Sequence, residues 1–273
     1  MSEPGVMNIA PGLCSITFRS LEADAVLALA VRAQVEGIEW GADGHVPPGG
    51  GPTVERLAAR CRDDGIEVVS YGSYLGFASA DNEDPAAVDA VLDSAHALGA
   101  PMVRLWAELG VGPDAADADR QRVAERTARY VAAISGRGLV PALEFHPYTL
   151  TETAASANAL LDALGDAAAR THWQPDPSRG AGDALAELAL VTPRLAHLHV
   201  FAWGPGGIGD RHPLANGADL WTRALAIADR DGAPLPSRRY ALCEYVRDDD
   251  PDQFVADVAT LRSWLTGASA GEA

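Results

Sequence analysis

The chain has 273 residues, 48% of them hydrophobic, and a formal net charge of −17 from 21 basic and 38 acidic side chains. That length and apolar content suit one α/β barrel with a large core, while so acidic a balance disfavours nucleic acid or an anionic membrane as partner. Every basic residue is an arginine, and the lack of lysine excludes Schiff-base and pyridoxal phosphate chemistry and the lysine-bearing Walker-type phosphate loop.

Residues 1–11 read as an N-terminal extension without the basic start and apolar stretch of a signal peptide. No apolar run approaches the length of a membrane span. Cys14, Cys61 and Cys243 have no paired spacing, which fits a reducing cytoplasm better than a disulfide frame or zinc knuckle.

From there, apolar strand patterns alternate with helical ones. Strands are expected at 12–17, 37–40, 66–71, 102–106, 140–145, 171–174, 196–201 and 240–245. Helices are expected at 21–36, 54–64, 85–98, 118–137, 154–164, 181–191, 220–230 and 251–265, where apolar residues recur three and four apart. Asp84-Pro85 and Thr151-Glu152 read as helix starts, and Gly37, Gly65, Gly99 and Gly138 as residues just past helix ends.

Eight strand-then-helix units imply a parallel sheet, and eight is the number that closes a single-domain (β/α)8 TIM barrel, here spanning 12–265 with a flexible tail at 266–273. A doubly wound open sheet would show a Gly-rich first turn, whereas this turn reads Cys14-Ser-Ile-Thr-Phe-Arg-Ser20. The long loops 45–52, 77–84 and 203–217 all follow strands, the end where barrel enzymes place their chemistry.

Four strands in the second half end on metal-binding side chains: Glu144, Gln174, His199 and Glu244. A buried strand that stops on a polar residue leaves its last core position unused unless that side chain has a task. Because side chains alternate along a strand, one register brings all four to the barrel mouth together. Two carboxylates, an amide oxygen and an imidazole suit one divalent ion, Mn²⁺, Mg²⁺, Co²⁺ or Zn²⁺. Asp176 shares a face with Gln174 and is the alternative donor on strand six. The choice of Gln174 rests on Trp173 then packing outward against the helices.

The order Leu143-Glu-Phe-His-Pro147, Trp173-Gln-Pro175, His197-Leu-His-Val200 and Cys243-Glu-Tyr245 resembles the xylose-isomerase-like barrels known as sugar phosphate isomerases/epimerases. The superfamily also holds ketose 3-epimerases, hydroxypyruvate isomerase, inosose dehydratase and apurinic-site endonucleases. The resemblance runs from Gly12 to about Trp264 and is strong for fold and weak for substrate. It implies that Glu, Asp, His and Glu from strands five to eight bind one divalent metal, with Gln174 standing here where Asp is usual. A second departure is Arg179, where a His commonly follows that Asp by three. A third is the strand-seven end His197-Leu-His-Val-Phe-Ala-Trp203, in place of His-x-His-x-Lys-Asp.

The resemblance further implies isomerisation or epimerisation of a sugar, sugar phosphate or polyol, by proton abstraction next to a carbonyl through a metal-held enediolate, with Glu144 and Glu244 as the acid/base pair. It adds the expectation of a homodimer and no partner besides a small sugar-like substrate. Four residues are substrate-binding candidates. His45 follows the second strand. Trp106 either stacks on a sugar or fills the interior with Arg104, which would then need a partner such as Glu144. His146 lies just past Glu144, and Arg211 sits in the Gly-rich seventh loop. Trp203 is expected to cover the mouth. Rival readings are a lyase or dehydratase on the same scaffold, a repair nuclease disfavoured by charge and sparse ligands, and a sugar-binding barrel weakened in catalysis by Gln174.

Overall fold

A computed structural model describes residues 7–78, 84–166, 168–230 and 237–267. Residues 1–6 of the expected extension, 79–83 of the third loop and 268–273 of the expected tail lie outside them.

Eight strands alternate with eight helices. They are β1 (Ile9–Cys14), α1 (Ala23–Ala33), β2 (Gly37–Gly41), α2 (Pro52–Asp63), β3 (Glu67–Gly72), α3 (Pro85–Leu98), β4 (Met102–Leu105) and α4 (Asp117–Gly136), then β5 (Val140–Glu144), α5 (Ala154–Leu164), β6 (Arg170–Trp173), α6 (Ala181–Val191), β7 (Leu195–Val200), α7 (Ala218–Arg230), β8 (Arg239–Cys243) and α8 (Pro251–Leu265). The strands form one closed parallel barrel in sequence order. Closure is made by β1 on β8, with Ile9 opposite Arg239 and Leu13 opposite Cys243.

The elements fall where the periodicity puts them, with local shifts at the ends. The first strand starts at Ile9 rather than residue 12, because Ile9, Ala10 and Pro11 pair with β8. Helix α1 stops at Ala33, and its left-handed cap is Gln34 at φ 60°. Gly37 is therefore not a cap but the first residue of β2. Asp84 caps α3 by accepting from the Ala86 amide, with Pro85 following. Helix α5 is opened by Thr153 rather than Thr151, through a reciprocal capping box with Ser156.

The main core is the shell between the outer strand faces and the helices. There Trp173 on β6 meets Trp221 on α7 edge to face, their centroids 6.0 Å apart, and Trp221 Nε1 donates to the Phe201 carbonyl at 2.7 Å. Trp173 thus packs outward, as the alternation required. Inside the barrel the apolar packing is broken into two small groups, Ala10, Cys14, Ile16, Val69, Tyr240 and Leu242, and Met102, Ala142 and Ala196. Buried polar side chains, Glu39, Arg104, His172 and His197 among them, accompany these groups. All three cysteines are free and buried. Among the described residues no helix is long and apolar enough to cross a membrane.

Candidate metal centre and cavity

Glu144 is the last residue of β5 and His199 the next to last of β7, while Gln174 and Glu244 each follow the final residue of β6 and β8. All four side chains are buried and meet at one end of the barrel. His199 Nδ1 lies 3.5 Å from Glu244 Oε2 and 4.0 Å from Glu144 Oε1. Gln174 Nε2 donates to Glu144 Oε1 at 2.9 Å. Donors around one small divalent ion, each at roughly 2.1 Å from it, stand about 3 Å apart, so this spacing fits after small shifts. A half-turn of the Gln174 amide exchanges its nitrogen for its oxygen at the same place.

A second observation supports the fit. Both ring nitrogens of His199 and Glu244 Oε2 are buried without a hydrogen-bond partner among the described residues. Such atoms are costly unless they serve a ligand. Asp176 is committed elsewhere: its Oδ1 accepts from the amide and hydroxyl of Ser178 at 2.8 and 2.7 Å, and its Oδ2 lies 3.3 Å from Arg179 Nε.

Beneath the ring lies a charged layer. Arg104 Nε donates to Glu39 Oε1 at 3.0 Å, and its Nη1 donates to Glu144 Oε2. Arg104 therefore fills the interior paired with Glu144, one of the two outcomes open from sequence. His172 Nδ1 stands 3.2 Å from Glu39 Oε2, and His199 Nε2 stands 3.5 Å from Glu39 Oε1. Cys14 Sγ approaches Glu39 Oε1 at 3.5 Å and Glu244 Oε1 at 3.9 Å. Cys14, Glu39 and His199 thus present ligand atoms within 4.8 Å of one another, so a cysteine stands at the edge of the donor set.

Gly72 on β3 makes room for this layer. A Cβ there would sit 2.7 Å from Arg104 Nη2 and 3.0 Å from Glu39 Oε1. A glycine inside a strand marks a close approach, and this one was the available sequence signal for a buried guanidinium beside it. Glu39 carried a weaker signal, a lone acid in the short apolar run of β2.

The charges set each other's protonation. Burial resists ionisation of Glu39, yet Arg104, His199 and His172 together hold its carboxyl well below the usual range. Burial raises Glu244 to about 7, with Glu144 and Glu39 adding to the rise and His199 opposing it. Burial also works against a charged His199, but the Glu244, Glu39 and Glu144 carboxylates outweigh it and lift its pKa to about 9.

A cavity of about 510 Å³ opens above the ring, with Arg104, Glu144, Gln174 and Glu244 in its walls. Trp106 and His146 line it, their rings 4.7 Å apart, and Trp106 stacks on Tyr74 at 6.3 Å and 15°. Trp203 lines it too and stacks on Phe201 at 4.2 Å. Two expected substrate contacts are not in its walls. His45 spends Nδ1 on the Ser15 hydroxyl at 3.0 Å and Nε2 on the Phe18 and Leu21 carbonyls at 3.2 Å, pinning the loop after β1. Arg211 is latched to Asp249 Oδ1 at 2.6 Å and lies over the Tyr245 ring, tying the loop after β7 to the one after β8.

The family model described as a xylose isomerase-like TIM barrel matches residues 27–264. No curated protein matches the chain. Among solved structures, the chain is similar to the probable 3-DHS dehydratase AsbF, involved in petrobactin synthesis, from Bacillus anthracis. The TM-score is 0.75 and the identity 18%, over 93% of this chain and 98% of that one. It is also similar to a D-allulose 3-epimerase from Methylomonas sp., with TM-score 0.69 and 17% identity over 97% and 100% of the two chains. A xylose isomerase-like TIM barrel protein from Mycobacterium smegmatis, in complex with magnesium, gives TM-score 0.63 and 17% identity over 96% and 98%. At such identities the likeness is one of fold.

Proposed function

The chain belongs to the xylose isomerase-like TIM-barrel family, and from that premise we propose that it is a divalent-metal-dependent isomerase or epimerase of a sugar, sugar phosphate or polyol. The observation that carries this reading is His199 standing 3.5 Å from Glu244 and 4.0 Å from Glu144, two carboxylates that line the cavity, with Gln174 completing the ring. The likeness to an allulose 3-epimerase and to a magnesium-bound barrel supports it.

Glu144, Gln174, His199 and Glu244 would hold the ion, which when bound supplies positive charge where a substrate carbonyl becomes an oxyanion. The remaining work belongs to the chain. Arg104 engages Glu144 Oε2, and Glu144 Oε1 accepts from Gln174 Nε2. Glu144 and Glu244, from strands five and eight, face the reacting carbon from two sides. In epimerisation one of them, ionised, removes the proton beside the carbonyl and the other, protonated, gives its own proton to the opposite face; in isomerisation a single glutamate carries the proton to the neighbouring carbon while a second proton passes from the hydroxyl to the carbonyl oxygen. Trp106 offers a flat face for sugar C–H groups, and His146 a polar edge for a hydroxyl.

A dehydratase on the same scaffold is the second reading, supported by the likeness to AsbF. Both begin with the same proton abstraction. A sugar and polyol panel in D₂O with Mn²⁺, Mg²⁺ or Co²⁺ separates them: deuterium uptake without loss of water favours the isomerase, and net dehydration favours the lyase. No exchange with any compound would count against both.

A further inference from the structure

The upper part of the cavity has a chemistry that sugar hydroxyls do not use. Its walls carry the rings of Trp106, Phe201, Trp203 and Tyr245. At its rim stand Tyr148 and Ile208, which line the same cavity yet are 71% and 50% exposed. Large apolar side chains left in water around a pocket mark a binding surface more often than an accident. Tyr148 is also held at φ 62°, a left-handed conformation uncommon for an aromatic residue. Two hydrogen bonds keep it there, its amide donating to Glu152 Oε2 at 2.8 Å and its carbonyl accepting from the Gly110 amide at 2.7 Å. Strain maintained at a pocket rim is a mark of functional sites.

The cavity is also poor in positive charge for an anionic ligand. Among the described residues that line it, the charged side chains are Arg104, Glu144, Asp176 and Glu244. Arg104 is consumed by Glu39 and Glu144. Arg179 nearby is held by Asp176 and Glu187 at 3.3 and 3.2 Å, Arg211 by Asp249, and the chain has no lysine. A phosphate ester would meet carboxylates with no uncommitted cation in these walls. At about 510 Å³ the space is in the range of drug-sized ligands, roughly 300–1,000 Å³, and leaves room beyond a single sugar ring.

We infer that the substrate is an uncharged sugar conjugate that keeps a carbonyl in its sugar part and bears an apolar ring, with its hydroxylated part at Glu144 and Glu244 and its ring against the aromatic walls and the Tyr148–Ile208 rim. The inference narrows the proposed isomerase or epimerase and rests on that reading.

Calorimetric titration of the Mn²⁺-loaded protein tests it, with glucose, galactose and xylose each offered as the free sugar, its phosphate ester and its phenyl β-glycoside. At least one phenyl glycoside should bind about tenfold or more tighter than its parent sugar, as burial of one aromatic ring warrants, and no phosphate ester should bind better than its parent. Tyr148→Asp and Ile208→Asp, both at exposed positions, should each shrink that ratio. Phenyl glycosides that bind no better than free sugars, or not at all, would overturn the inference, as would tighter binding of a phosphate ester or a ratio unmoved by both substitutions. Failure of the isomerase reading shows separately, as absent deuterium exchange.

Discussion

Arg104 Nε donates to Glu39 Oε1 at 3.0 Å inside the barrel, both side chains almost wholly out of water. The pair sits directly under the residues that crown the barrel, and the same guanidinium also holds Glu144. The base of the site is therefore an ionic layer where barrels of this kind usually pack branched apolar side chains.

Replacing Arg104 by Met would leave Glu39 and Glu144 buried without their cation. Removing one partner of a buried ion pair costs about 3–5 kcal/mol, and urea unfolding of the metal-free protein should show a loss of that order. Adding Glu39→Gln to Arg104→Met should recover part of it. A loss below about 1 kcal/mol would mean that the pair is not desolvated as described.

Gly72→Ala probes the same layer from the neighbouring strand. The new Cβ would lie 2.7 Å from Arg104 Nη2, and overpacking of this kind costs about 1–3 kcal/mol. The variant should fold, melt lower and lose turnover through a displaced guanidinium. Wild-type stability and rate would show that the guanidinium has room to move.

The protonation of the crown gives a signed pH dependence. In the metal-free protein His199 titrates at about 9, above an unfolded value of roughly 6.5. Its contribution is complete below the unfolded value and is lost as pH rises through about 9. Glu244, raised to about 7 from roughly 4.3 unfolded, contributes in the same direction, present at acid pH and lost as pH rises through about 7. Glu39, held low, does not change between these limits. Burial holds His172, His197 and His45 below the free imidazole value, which opposes Glu244 in the acid range, so stability of the metal-free protein should fall between pH 7 and 9. Metal affinity should rise over the same window as protons are displaced from the donors. Chemical denaturation and Mn²⁺ titration at three pH values check both, and a flat or opposite trend contradicts the arrangement.

The outer shell is tested at Trp221, which is buried on α7 and bonded to the Phe201 carbonyl. Trp221→Ala should cost about 3–5 kcal/mol and leave the carbonyl without its donor. A change under 1 kcal/mol would place that contact outside the core.

The barrel could be read from the sequence because β5, β7 and β8 are short, largely apolar runs separated by helical periodicity, as parallel strands buried on both faces tend to be, while β6, Arg170-Thr-His-Trp173, was placed by its position between two helical patterns. Glu144, Gln174, His199 and Glu244 were legible for the same reason, as polar residues ending apolar strands. Alternation along β4 put Arg104 inward but could not choose its partners, which come from β2 and β5. Glu39 was passed over because one acid in a five-residue strand has many explanations until its neighbours are known. Sequence could not place His45 and Arg211, because a loop residue's position along the chain says nothing of which carbonyl or carboxylate it folds back onto.

Glu144, Gln174, His199 and Glu244 should together hold one divalent ion. This is tested most directly by metal analysis of the protein equilibrated with excess Mn²⁺ and then desalted, beside His199→Ala and Glu244→Gln. The arrangement predicts about one ion per chain in the parent and little in either variant, with the fold retained by circular dichroism. A parent that retains no ion, or variants that retain it in full, would contradict the claim.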